Sequence, residues 1–181
     1  MSLKEITKDV HTEAEHTPFM KAVFKKNMPH DVWADYTYQK SVIYGSIENV
    51  ARAEGLTLDC LDVERALKLY QDAKEMNGGN FPRLRQATID YSRYLLDLVG
   101  QPEKIMAHLY VWHMGDLHGG QMIKKVMPDF PHRNLDFDDV EATKVKIRSK
   151  LNDGIGEEAI KAFEWAIKIM NTYNDQLPNN E

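Results

Sequence analysis

Apolar residues recur at helical spacing along almost the whole chain, and no run alternates apolar and polar residues well enough to make a strand. This periodicity restricts the chain to an all-α fold. Ser2 and Glu5 are spaced as a capping box and open a first helix running to about His16. A short helix follows Pro18 through Phe24. A long one spans Val32 to about Ala53, where Trp33, Tyr36, Ile43, Tyr44 and Ile47 form an apolar stripe that Lys40 interrupts. Gly55 closes it. Further helices are expected over Leu61–Glu75, Leu84–Val99, Glu103–Val126, Val140–Leu151 and Glu157–Leu177, with Asn77-Gly78-Gly79-Asn80-Phe81-Pro82 as the clearest surface loop.

The segment Gly115-Asp116-Leu117-His118-Gly119-Gly120 runs against helix propensity, because each interior glycine costs about 1 kcal/mol relative to alanine and three cost roughly 3 kcal/mol. Bare backbone must serve a purpose there. Gly115 and Gly119 are spaced i, i+4 and share a face, with the Asp116 carboxylate beside it. Three readings compete: Gly119-Gly120 ends the helix, small residues admit a neighbouring helix, or a flat ligand lies against the main chain.

On the first helix, Lys4, Lys8, His11 and Glu15 share one narrow arc at about 100° per residue. Leu3, Ile6, Val10 and Ala14 form an adjoining apolar arc. This edge suits an amphiphilic ligand with anionic tails. His11 and Glu15 are i, i+4, so the carboxylate is within reach of Nδ1–H while Nε2 stays free, as in many metal-ligating histidines; an ordinary solvated ion pair is the competing reading. Lys144 and Arg148 repeat the i, i+4 spacing, and by themselves read as a solvent-facing charged edge.

At 181 residues and 43% hydrophobic composition the chain is expected to form one domain, 1–181. Cys60 is the lone cysteine, so no internal disulfide is available. The start has no secretory pattern and no run of about 18 apolar residues occurs, so a soluble cytoplasmic protein without a membrane anchor is expected. A net charge of −5 argues against nucleic acid as a partner.

Two blocks carry a family likeness. Leu3-Lys4-Glu5-Ile6-Thr7-Lys8-Asp9-Val10-His11-Thr12-Glu13-Ala14-Glu15 followed by Phe19-Met20, and Tyr110 with Gly115-Asp116-Leu117-His118-Gly119-Gly120-Gln121, resemble heme oxygenases in order and separation. The resemblance runs from Leu3 to about Met170. It implies a helical bundle with heme b sandwiched between the first helix and the glycine-kinked one, heme being both cofactor and substrate and molecular oxygen the co-substrate. His11 is then the iron ligand and Glu15 its hydrogen-bond partner. Gly115, Gly119 and Gly120 form the distal wall. Asp116 orders the water that relays protons, with Tyr44 in the same network. Lys4, Lys8, Tyr110, Lys144 and Arg148 are candidates to hold the propionates, and Phe163 matches a pocket-wall aromatic.

His118 stands where serine is common in such chains; it could add a titratable donor near the distal pocket or ligate iron, but is expected to point sideways. Trp112 stands where arginine is common. The resemblance implies α-meso cleavage to biliverdin, carbon monoxide and ferrous iron. Electrons must come from an outside donor, expected to be ferredoxin, since no nucleotide or flavin fingerprint occurs; a bilin reductase is a possible downstream partner. A heme-binding or heme-sensing protein without turnover is the alternative. Glu13 and His16 fit one Glu-x-x-His motif of a di-iron bundle, which needs two. His16, His30, His108, His113 and His132 are expected to be structural or exposed.

Overall fold

The computed structural model describes residues 2–57 and 61–178; Cys60 and the Asn179-Asn180-Glu181 end lie outside the described residues. Among the described residues there are ten α-helices and no strand. They are α1 (Leu3–Ile6), α2 (Lys8–Glu15), α3 (Pro18–Phe24), α4 (His30–Ala53), α5 (Ala66–Met76), α6 (Gln86–Leu96), α7 (Pro102–His118), α8 (Gly120–Val126), α9 (Val140–Ser149) and α10 (Gly156–Asn171). Helix α7 is apolar on nearly every side and is accordingly buried, between α4 and α10. Helices α1 and α2 lie on α10, and α9 packs on α7.

Two helices expected to be continuous are divided. The capping box forms as expected, with Ser2 N–H donating to Glu5 Oε2 at 2.7 Å. The first helix nevertheless breaks at Thr7, whose buried hydroxyl donates to the Leu3 carbonyl at 2.9 Å and whose ψ opens to 0°. A threonine hydroxyl bonded to the preceding turn bends a helix in this way. The glycine-bearing helix divides at Gly119, which keeps right-handed backbone angles of −83° and −25°. Helix α5 starts later than expected, at Ala66, because the Glu48 carboxylate on α4 accepts from the amides of Arg65 (2.5 Å) and Ala66 (3.1 Å) and so satisfies its first turn. The last helix ends at Asn171, short of Leu177, and a 3-10 turn follows.

The glycines of the divided helix serve different ends. A Cβ at Gly120 would lie 2.5 Å from Leu135 Cδ2, so this glycine admits close packing of buried Leu135. A Cβ at Gly115 would meet nothing within 4 Å. Gly120→Ala is therefore expected to destabilise the protein by about 1–3 kcal/mol through overpacking. Gly115→Ala is expected to stabilise it by up to about 1 kcal/mol through helix propensity. Paired urea melts of the two variants test this, and equal shifts of the same sign would refute the distinction.

A buried polar chain joins α6, α7 and α10. The Trp112 indole donates to the Tyr91 hydroxyl at 2.8 Å, Tyr91 meets His108 Nδ1 at 2.7 Å, and His108 Nε2 meets Glu158 Oε1 at 3.0 Å. Tyr94 and Lys161 also donate to Glu158. Burial holds the His108 imidazole below its ordinary value near 6.5, and the neutral ring then accepts from Tyr91 and donates to Glu158. Burial pushes the Glu158 carboxyl up, but its hydrogen bonds from His108, Tyr94 and Lys161 outweigh that and bring it to about 2. Both shifts are depressions, so the unfolded chain binds more protons at low pH and stability must fall with acid. The melting temperature is expected to decline as pH drops below 6.5 and again between 4.5 and 2. Glu158→Gln should remove the lower step; an unchanged acid limb in that variant would refute the assignment.

Candidate functional site

The first helix and α7 face each other across a cleft of about 370 Å³, within the usual range for a small-molecule site. Lys4 comes from α1, His11 from α2, Arg148 from α9 and Phe163 from α10. Helix α7 supplies the opposite wall through Tyr110, Met114, Gly115 and His118. The break at Thr7 separates buried Leu3 on α1 from α2, which has no fully buried residue, and leaves His11 half-exposed. The His11 and Phe163 rings pack roughly perpendicular, their centres 5.4 Å apart at 81°. Because Gly115 has open space where a side chain would begin, its main chain can be approached directly from the cleft.

Of the residues singled out in the sequence, Lys4, His11, Tyr110, Gly115, Arg148 and Phe163 come together at this cleft. Lys8, Glu15, Gly119, Gly120 and Lys144 are not in its wall. Glu15 approaches His11 Nδ1 only to 3.7 Å, beyond hydrogen-bond length, so the expected hydrogen bond is not formed here. Gly120 is buried, its Cβ direction filled by Leu135, and it is absent from the cleft wall. Gly119 is exposed beside Gly115, its N–H bonded to the Gly115 carbonyl at 2.8 Å. Lys144, largely covered, pairs with Glu141 at 2.7 Å.

His118 also departs from expectation, since it reaches the cleft wall. Arg148 Nη2 donates to its Nε2 at 3.3 Å, which requires a neutral ring. Burial, followed by the charges of Lys144, Arg148 and Lys4, holds the imidazole below its ordinary range. Three cations thus converge on this rim, Lys144 acting through its field although it is absent from the wall. The Tyr110 hydroxyl is raised by burial, with the Arg148 charge opposing. This rim suits an anionic group, and Arg148 could grip a carboxylate with two hydrogen bonds.

Asp116 lies one residue from Gly115, but its buried carboxylate turns away from the cleft toward α4. Oδ1 accepts from Lys40 Nζ at 2.6 Å; Oδ2 accepts from Tyr44 at 2.7 Å and from Asn134 at 3.0 Å. Tyr44 is within 2.8 Å of the Trp112 carbonyl as well, and burial followed by the Asp116 charge pushes its hydroxyl far up. The Trp112 side chain itself is committed to Tyr91. Lys40 and Asn134 were not foreseen as site residues. The interruption of an apolar stripe was the signal for Lys40; nothing in the sequence marks Asn134.

The remaining histidines have local duties. His16 Nδ1 is 2.7 Å from the Thr12 carbonyl, His113 Nε2 is 3.0 Å from Glu48, and His132 Nε2 is 2.7 Å from the Met127 carbonyl. Among the described residues no group of three or more His, Cys, Asp or Glu could hold a metal ion. No helix there is long and apolar enough to cross a membrane.

A family model described as heme oxygenase matches residues 1–172. Heme oxygenase 2 of Oryctolagus cuniculus is 28% identical over 92% of this chain, and the match covers 63% of that protein's length. The chain therefore spans less than two thirds of that relative. The crystal structure of heme oxygenase-1 from the cyanobacterium Synechocystis in complex with heme superimposes with a TM-score of 0.86 at 24% identity, covering 96% of this chain and 91% of that one. The heme oxygenase of Leptospira interrogans gives a TM-score of 0.83 at 25% identity, covering 95% and 100% respectively.

Proposed function

The chain belongs to the heme oxygenase family, and from that premise we propose that it opens heme oxidatively to biliverdin, carbon monoxide and ferrous iron, with molecular oxygen as co-substrate. The observation carrying this reading is Gly115: an interior helical glycine with no packing partner, its bare main chain facing His11 across the cleft. A helix tolerates that cost where something flat must approach closely. A lone imidazole could not retain a bare ion, so a metal carried inside a larger planar ligand fits the donor set. When bound, heme supplies the iron and the porphyrin edge that is oxidised.

The chain's own residues then divide the work. His11 offers an imidazole nitrogen to the metal. Phe163 walls one side and orients the His11 ring. Lys4 and Arg148, with the field of Lys144, hold the ligand's carboxylates at the rim and so select which edge faces the glycine wall. Lys8 is exposed on α2, the helix of His11, and strengthens the local positive potential. Asp116, held among Lys40, Tyr44 and Asn134, orders water and moves protons toward the Gly115 side of the cleft. Gly119 keeps the adjoining backbone open.

The finer reading is α-meso cleavage, electrons from a ferredoxin, a cytoplasmic setting and delivery of the product to a bilin reductase. It is supported by the cationic rim and by the same family membership. The decisive experiment adds one equivalent of hemin and follows the visible spectrum under air with reduced ferredoxin and an iron chelator. Decay of the Soret band with growth of a biliverdin band is expected, and chromatography of the product should give the α isomer. A stable Soret band that also resists other reductants would leave a heme-binding protein without turnover; no Soret band would mean another ligand.

A further inference from the structure

We propose that Lys40 is a positioning residue for the reaction, fixing the Asp116 carboxylate from the side of α4. Lys40 interrupts an otherwise apolar stripe, and its side chain is mostly covered, with 14% exposed. A buried ion pair is not a general device for stability, since apolar residues of similar volume often do as well or better. Its partner here is the one carboxylate beside Gly115. Tyr44 and Asn134 both engage Oδ2. Without Lys40, Oδ1 would have no anchor among the described hydrogen bonds and the carboxylate could turn about its own axis. With Lys40 at 2.6 Å, both oxygens are pinned and the group has one orientation.

The ammonium is also braced, 5.1 Å from the centre of the Tyr44 ring. A small cavity of about 20 Å³ is bounded by Lys40, Asp116, Thr37 and Asn134, separate from the main cleft. It has room for one water, which Lys40, Asp116, Thr37 and Asn134 would hold among largely apolar neighbours that include Trp33, Leu69 and Leu135. Lys40 therefore fixes both the carboxylate and the edge of the space through which Asp116 can be reached by water.

The inference rests on the heme reading of the cleft, and its test separates the two. In the protein without heme, a double-mutant cycle of Lys40→Met and Asp116→Asn in urea is expected to show coupling of at least about tenfold in the unfolding constant. With hemin, Lys40→Met should bind within about threefold of the parent affinity yet turn over roughly ten- to a hundredfold more slowly, the penalty of a misplaced group. Lys40→Arg should recover most of the rate. Normal turnover, a rate loss matched by lost hemin affinity, no recovery with Lys40→Arg, or an uncoupled cycle would each overturn the proposal. If Lys40→Met does not fold, Lys40→Gln gives the same readings. Failure of the parent protein to bind hemin would instead sink the heme reading, leaving the cycle interpretable.

Discussion

In the His11→Ala variant, added hemin is expected to give no histidine-ligated spectrum, with affinity reduced more than about tenfold and turnover abolished. Outer partners of a metal ligand typically contribute ten- to a hundredfold, so loss of the ligand itself should exceed the lower figure. The fold should not suffer. His11 is about half exposed, and its side-chain neighbours are the distant Glu15 carboxylate and the edge contact with Phe163. Exposed substitutions of this kind usually stay within about 0.5 kcal/mol. Hemin titration beside a thermal melt checks both halves, and retention of the parent spectrum would refute the assignment of His11.

Asp116→Ala is expected to behave in the opposite way, binding hemin nearly normally but failing to make biliverdin. Asp116 is not in the cleft wall, so direct ligand contact is not lost, whereas general-acid assistance of about 10²–10⁴-fold is. The variant should also be less stable by about 3 kcal/mol or more. Removing one partner leaves the Lys40 charge and the Asn134 amide poorly matched in a buried site. Asp116→Asn retains the shape and should lose turnover at a smaller cost in stability. Single-turnover absorbance traces at saturating hemin decide the matter; normal product formation in either variant would refute the proton-relay role.

Much of the fold was legible because helical periodicity is a local signal. The capping box at Ser2, the proline start at Pro18 and the left-handed Gly55 all fall where the sequence placed them. Thr7 was not legible as a break, since a threonine within a helical pattern bends the chain only when its hydroxyl is committed to the preceding turn and buried there. The start of α5 was missed for a related reason: its first turn is satisfied by Glu48 from another helix, a contact no local pattern contains.

The site divides along the same line. Residues sharing one helix face, such as Lys4 and His11, could be grouped by spacing. Spacing grouped Gly115 with Gly119, but only tertiary packing shows that Gly120 admits Leu135 whereas Gly115 opens on the cleft. Asn134 enters from a short 3-10 turn far along the chain and meets Asp116 through the fold alone.

The break at Thr7 has a further bearing on how the cleft can work. Helix α7 is held by eleven buried residues, whereas α2 has none and is secured through partly covered Val10 and Ala14 and the anchored α1. The two jaws thus differ in compliance: one is part of the core, the other a short rod on a joint. Widening of the cleft is therefore expected from yielding of α2 and not of the buried α7. Local opening draws on the least buried elements, so the side that carries His11 is the one that can loosen for release without disturbing the core.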